Sequence, residues 1–384
     1  MWHYILLLLI ILLLYFSTYQ QKGISSTILG CIMFFIALYV GLSDMFGGFD
    51  RYIYCELFDD VADAIKKGQN IQDAAIYTSF STEPGFALIN TLIGIFTANR
   101  YIFILLLTLI IYFLLYQALK LYTSNYAFAL ILFLGLIMMF SFTYLRQLLG
   151  IGVAWLSIPF IIKRDFIKYA IIVFIAATIH NSALIFFPLY FVPIKKLEKN
   201  TVLYIFVGCL LFGIFNISEA IFGVYGDAMD DQRRMADLAR DQNAFRIEYL
   251  LEAIVFIYII FKNYEKIPSN SKSILLLNMS LIFCAILLFF IRSLNGGRLT
   301  WYYWIGMIST LTTICTRRKK VTQYGILVIA ICVALYLRIL TGWGGYGQVF
   351  YPYKTFLTPG HRAGDIVWDE YEYDRRYDND KFYR

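Results

Sequence analysis

The sequence predicts an all-α polytopic membrane protein, and three observations carry that reading. Of its 384 residues, 60% are hydrophobic and 15% charged, with a mean hydropathy of +0.66. A soluble domain is nearer ~45–50% apolar and ~25% charged. The apolar residues fall into blocks of roughly 15–22, the length that crosses a ~30 Å hydrocarbon core. Lys and Arg gather in short clusters between those blocks, as they do on the cytoplasmic side of membrane proteins. The net charge of +7 is therefore no nucleic-acid signal, because it sits at block ends and not in one patch.

Taken in order, the first block, Ile5 to Phe16, lacks the basic flank and small-residue cleavage site of a signal peptide, so it reads as a retained span. Candidate spans follow near 3–20, 24–42, 101–119, 126–143, 145–162, 166–180, 181–194, 201–222, 246–262, 273–291, 299–316 and 321–340. Lipid offers the backbone no hydrogen bonds, so each is expected to be helical. The clusters placed inside are Lys22, Lys120, Lys163 with Arg164 and Lys168, Lys195 with Lys196 and Lys199, Lys262 with Lys266 and Lys272, and Arg317 to Lys320.

That sidedness has two consequences. Segment 43–83 is acidic, with Asp44, Asp50, Glu56, Asp59, Asp60, Asp63, Asp73 and Glu83, and lies outside together with Arg100. The stretch opening Pro84-Gly85-Phe86 is then a short interfacial or re-entrant helix. Phe166 to Ile194 has basic flanks at both ends and must cross an even number of times. It reads as two short helices meeting near His180-Asn181, with Pro188 and Pro193 shaping the return; one long tilted span would put Arg317 to Lys320 outside. The sum is about twelve crossings with both termini outside. Residues 1–340 form the transmembrane domain, with outer loops 43–100 and 223–246, and 341–384 an extracytoplasmic tail rich in Asp, Glu and Arg. The six cysteines show no framework spacing and read as small core residues, with no metal site.

With this topology the ionisable residues converge outside. Arg146 lies in Ser141-Phe-Thr-Tyr-Leu-Arg-Gln147 at the outer start of a span. His180 sits at the hairpin apex in Ile179-His-Asn-Ser-Ala183. Arg292 and Arg298 flank Ser293-Leu-Asn-Gly-Gly297, Asp50, Glu83 and Arg100 lie on the first outer segment, and Arg233, Arg234, Arg240 and Arg246 lie on the second. Ionisable groups in membrane-buried sequence are costly and mark function by default. Several guanidinium groups around one histidine suit a diphosphate substrate: each arginine keeps its charge, presents a planar fork, and stabilises charge growing on a departing pyrophosphate. The histidine can take a proton from an acceptor hydroxyl. Plainer readings stand beside these. Interfacial arginines can snorkel to lipid phosphates, His180 can be a hydrogen-bonded hinge, and Asp50 and Glu83 can be helix-start carboxylates. No phosphate loop, nucleophile elbow or paired Asp of a nucleotide-sugar transferase is present, which argues against nucleotide-fuelled chemistry.

At these residues the chain resembles the EpsG family, a branch of the Wzy-like O-antigen and exopolysaccharide polymerases. The pieces are Gly48-Phe-Asp50 with Tyr52 and Tyr54, Glu83-Pro84-Gly85-Phe86 with Asn90, and Tyr144-Leu-Arg146-Gln147. They continue with Lys163-Arg164 before a span ending His180-Asn-Ser182-Ala183, Arg298 before Trp301, Tyr302 and Tyr303, and Pro352-Tyr353-Lys354. One departure is the bulky Arg51 after Asp50. The resemblance implies a GT-C-like enzyme of the bacterial inner membrane, facing the periplasm. It would join repeat units carried on undecaprenyl diphosphate as both donor and acceptor, without a cofactor or metal. Arg146 and Arg298 would hold the diphosphate with Arg292 assisting, and His180 would orient or deprotonate the acceptor. Asp50 and Glu83 would sit near the sugar or act as an alternative base, with Gln147, Asn181 and Arg246 among the substrate contacts. Expected partners are the lipid-linked glycan, the bilayer and a chain-length regulator, and no nucleic acid.

Two other readings are open. A ligase or single-sugar transferase with a polyprenyl donor would share the chemistry. A lipid-glycan flippase would place charges in a central cavity between two similar halves, and no internal repeat is visible.

Overall fold

The computed structural model describes residues 1–19, 23–45, 47–217, 245–293, 296–316, 320–343, 350, 353–355 and 357. Among them the regular structure is helical, with one isolated antiparallel bridge between Ser43 and Thr355. Lys22, Arg233, Arg234, Arg240, Arg317 to Lys319, Pro352 and His361 lie outside the described residues, as do nearly all of loop 223–246 and the end of the tail.

The chain divides into two compact units, one of residues 1–153, 174–181 and 318–384, the other of 154–173 and 182–317. In the first unit the helices are α1 (Trp2–Thr18), α2 (Ser26–Gly41), α3 (Arg51–Lys67), α4 (Ala75–Ser79), α5 (Pro84–Phe96), α6 (Arg100–Tyr122), α7 (Tyr126–Leu136), most of α8 (Leu145–Trp155), the end of α10 (Phe166–Ile179) and α15 (Gln323–Thr341). Polar side chains set their starts: Ser25, Asn99, Asn125 and Thr322 each accept an N–H from the first turn of α2, α6, α7 and α15, groups that would otherwise lack partners. α2 packs on α6, and α7 packs on α1 and α15. At the last contact a Cβ on Gly135 would come 2.7 Å from Cys332 Cβ, so a small residue lets the two backbones meet, as in membrane helix pairs.

The outer face of α6 shows what surrounds this unit. Phe103, Leu107, Ile111 and Leu115 are buried, while Ile102, Leu106, Ile110 and Phe113 are exposed. Both stripes are apolar, which water does not favour and lipid does. Four described stretches are long and apolar enough to cross a bilayer: Arg100–Tyr122, Leu145–Ile162, Ser271–Phe289 and Gln323–Thr341.

Segment 43–83 holds more structure than the reading of an acidic outer stretch foresaw. α3 buries Tyr54, Cys55, Phe58, Val61 and Ala62 on one face, packs on α5 and α6, and stops at Gly68, whose φ of +66° suits glycine. Arg100, a candidate surface arginine from sequence, is buried and ion-paired with Asp59 and, at 3.4 Å, Glu56 of α3.

The second unit holds the end of α8, α9 (Ile158–Ile162), the first part of α10, α11 (Lys199–Ile214), α12 (Ile247–Lys262), α13 (Ser271–Phe289) and α14 (Trp304–Cys315). α13 is its centre, packed against α11, α12 and α14. The predicted hairpin is present, but its return limb, Asn181–Phe191, is a 3₁₀ helix containing Pro188. The chain comes back on itself: Arg164 Nη1 donates to Tyr190 O at 3.0 Å, and Phe166 meets the Tyr190 ring at 5.1 Å. Proline removes an N–H and disfavours a regular α-helix, while the hydroxyls of Tyr169 and Tyr303 donate to the carbonyls of Phe186 and Ile185. Predicted spans 126–143 and 299–316 also differ from uniform α-helix, with 3₁₀ runs at Met138–Phe142 and Gly296–Tyr303.

Candidate functional site

The first unit gathers three of the sequence-selected residues around the carboxylate of a fourth, Glu83. Glu83 stands at the N-cap position of α5, ahead of Pro84, yet its side chain makes no capping bond. The carboxylate is committed to tertiary contacts instead. Glu83 is 3% exposed. Its Oε2 is ion-paired with Arg146 Nη1, its Oε1 accepts the Asn181 backbone N–H at 2.8 Å, and His180 Nδ1 lies 4.0 Å from Oε1. His180 and Arg146 are partly open, with side chains 16% and 17% exposed. A buried carboxylate thus backs two groups that reach the surface.

Local structure explains the convergence. Arg146 lies in the first turn of α8, where the helix dipole disfavours a cation; Glu83 offsets that cost. The Phe80 ring lies 3.9 Å from the guanidinium carbon and the Phe86 ring 5.9 Å, holding the arginine by cation–π attraction. α5 starts hard against the end of α10: a Cβ on Gly85 would come 3.0 Å from the Thr178 carbonyl carbon and nearer its hydroxyl. Only glycine allows that approach, and the approach brings Glu83 to Asn181. The Nε of Arg146 is buried and has no hydrogen-bond partner.

Asp50 joins this neighbourhood through Tyr54. Tyr54 Oη donates to Asp50 Oδ2 at 3.5 Å, and its ring packs edge-on against Phe86 at 5.7 Å. Asp50 also occupies an N-cap position without capping α3. The departure after it has a structural reason. Arg51 is completely buried, its Nη2 donating to Ser43 O at 3.0 Å and Gly41 O at 3.4 Å, so it fastens the segment that carries Asp50. Gln147 is buried beside Arg146 in sequence. Residues near the chain's end close over the same segment. Tyr353 stacks on Tyr39 at 4.6 Å and donates to Tyr39 O, Lys354 O accepts the Asp44 N–H, and Phe350 packs on Tyr4 and Phe142. Phe49 N–H donates to Thr143 Oγ1 at 3.3 Å, three residues before Arg146.

Arg246, Arg292 and Arg298 belong to the second unit. Arg246 immediately precedes α12, Arg292 lies in the turn after α13, and Arg298 is in the Gly296–Tyr303 run. Two residues of the first-unit cluster were given no role of their own by the sequence. Phe80 gave no signal, being one aromatic among many, and Tyr54 appeared only as part of a motif.

The EpsG family model matches residues 26–355. No curated protein and no solved structure matches the chain. The family and the long apolar helices together point to a multi-pass membrane protein of polysaccharide biosynthesis. Matched from the first residue of α2 to Thr355, and so across every element that positions Glu83, Arg146 and His180, the chain belongs to the EpsG family.

Proposed function

We propose that this protein polymerises a glycan, joining repeat units carried on undecaprenyl diphosphate at the outer leaflet of the bacterial inner membrane. In this reading it is a GT-C-like enzyme of about twelve crossings, with residues 341–384 forming an outer tail. The observation that supports it most is the buried Glu83 carboxylate, set between an arginine with an unfilled donor and a histidine. Family membership supports a Wzy-like polymerase in general terms.

The acceptor hydroxyl attacks the anomeric carbon, the bond from that carbon to the diphosphate breaks, and polyprenyl diphosphate leaves with the electron pair. Arg146 holds a diphosphate and offsets its growing charge. The hydroxyl proton passes to His180. Glu83 is engaged by a guanidinium and a backbone N–H; its role is to position Arg146 and the turn bearing His180. Asp50, through Tyr54, lies toward the sugar.

The test is purified full-length protein in nanodiscs given a synthetic repeat-unit lipid alone. A ladder of products is expected, lost in Arg146→Ala and reduced ~10²–10⁴-fold in His180→Ala. Product formed only after addition of a distinct acceptor would indicate a ligase, and lipid movement without product a flippase. Wild-type turnover in both variants would remove these assignments.

A further inference from the structure

In the first unit, α5 is dressed differently on its two faces. It buries Phe86, Ala87, Asn90, Ile93 and Gly94 and packs on α3, closely enough that a Cβ on Gly94 would come 3.0 Å from Ile65 Cδ1. Its other face is an exposed ridge of Leu88, Leu92, Ile95 and Phe96. These recur at i, i+4, i+7 and i+8, the spacing of a single apolar stripe. α3 is the reverse: the face it turns outward carries the exposed Asp60, Lys66 and Lys67, with Asp63 ion-paired to Lys67 at 3.2 Å. One helix of the pair suits water and the other hydrocarbon.

The pair also sits at the end of a candidate span. Phe58 of α3 stacks at 4.2 Å on Phe103 in the first turn of α6, where Arg100 makes its ion pairs with α3. The exposed apolar stripe of α6 begins at Ile102, shortly after Phe96, so the two apolar surfaces follow one another along the chain. At 13 residues, α5 is roughly 20 Å long, too short to cross a ~30 Å core. Of the two placements the sequence allows for this helix, interfacial and re-entrant, the ridge and its charged cover favour the first.

We propose that α5 lies in the lipid–water boundary, with the acyl chains of a single leaflet covering Leu88, Leu92, Ile95 and Phe96 and with α3 as its cover on the water side. Burial of one apolar face is what holds such a helix in the interface. Glu83 immediately precedes Pro84, the first residue of α5. The carboxylate that holds Arg146 and the Asn181 N–H is therefore seated near the depth of the lipid headgroups. A ligand carried in the bilayer then reaches Arg146 and His180 from the membrane side, without first passing into bulk water. The seat is argued from side-chain polarity and helix length, and does not rest on the polymerase reading.

The test uses full-length protein in phospholipid nanodiscs, with the photo-crosslinking residue p-benzoylphenylalanine in place of Leu92, Phe96, Asp60 or Leu106, one at a time. Adducts are identified by mass spectrometry, and Leu106, on the exposed stripe of α6, is the reference. Phospholipid joined through its acyl chain is expected at 92 and 96 in a yield close to that at 106, and about tenfold less at 60. Adducts at 92 and 96 to a second copy of the chain, or no phospholipid there while 106 gives one, overturn the proposal. Phe96→Asp supplies an independent measurement. Phe96 is 85% exposed, so in water the change is close to neutral, whereas a charge in hydrocarbon is costly. The unfolding temperature in nanodiscs should fall by about 2–4 °C; a value equal to wild type overturns the seat as well. Neither measurement reads product, so the seat and the polymerase reading fail separately.

Discussion

The Glu83 carboxylate accepts the backbone N–H of Asn181 at 2.8 Å, a bond that spans 98 residues of sequence. It ties the start of α5 to the turn after α10, and the same carboxylate holds Arg146. One side chain therefore fixes both the cation and the loop that presents His180. An acid whose main work is to position others has a distinguishable signature when it is changed.

Glu83→Gln keeps a hydrogen-bond acceptor for Asn181 but removes the charge facing Arg146. The arginine is then left partly buried beside a neutral amide, at an expected cost of about 2 kcal/mol. Activity should fall at least ~10²-fold. In the double variant Glu83→Gln with Arg146→Gln, thermal unfolding should recover much of the lost stability while activity stays low. Stability losses that simply add would mean that the two residues do not interact.

Gly85→Ala tests the approach of α5 to α10. The added Cβ meets both the hydroxyl and the carbonyl carbon of Thr178, so trimming Thr178 to Ala removes only one of the two obstacles. Gly85→Ala is expected to lower product formation more than tenfold, with partial rescue by Thr178→Ala. Full activity in Gly85→Ala would show that the close approach does not set the geometry of Glu83.

The sequence exposed the apolar helices because their hydropathy is uniform: α6, α13 and α15 are legible as blocks. α3 was not, because Asp59, Asp60 and Asp63 interrupt it. Its buried residues Tyr54, Cys55, Phe58, Val61 and Ala62 nevertheless recur with a helical period, and a search for amphipathic spacing finds them. The 3₁₀ runs left no comparable mark, since they depend on hydroxyls such as Tyr303 reaching carbonyls more than a hundred residues away. At the candidate site, the residue types Glu83, Arg146 and His180 were readable from charge placement. The partner chosen by Glu83 was not, because it is a main-chain N–H.

Arg100→Ala should undock α3. It removes the partner of Asp59, a carboxylate only 4% exposed, and an unpaired buried charge costs about 3–5 kcal/mol. The expected result is a lowered unfolding temperature and faster proteolysis within 51–79. Asp59→Asn combined with Arg100→Ala should lose less stability than Arg100→Ala alone. Equal stability of wild type and Arg100→Ala would assign the ion pair no structural role.

The residues that close over Asp44 yield the last expectation. Lys354 O takes the Asp44 N–H at 3.0 Å, Thr355 bridges Ser43, and Tyr353 covers Tyr39. These contacts hold the segment whose other side is fastened by Arg51 and which leads directly into Asp50. A chain ending after Leu357 retains every one of them, whereas a chain ending after Gly342 loses all three and leaves the Tyr39 ring uncovered. The longer truncate should keep near wild-type product ladders and thermal stability; the shorter should lose stability and activity together. Tyr353→Phe separates the components, since it preserves the stack and deletes only the 2.7 Å hydrogen bond to Tyr39 O, at about 1 kcal/mol. If the chain ending after Gly342 behaves like the wild type in both measurements, the closing residues contribute nothing to the placement of Asp50.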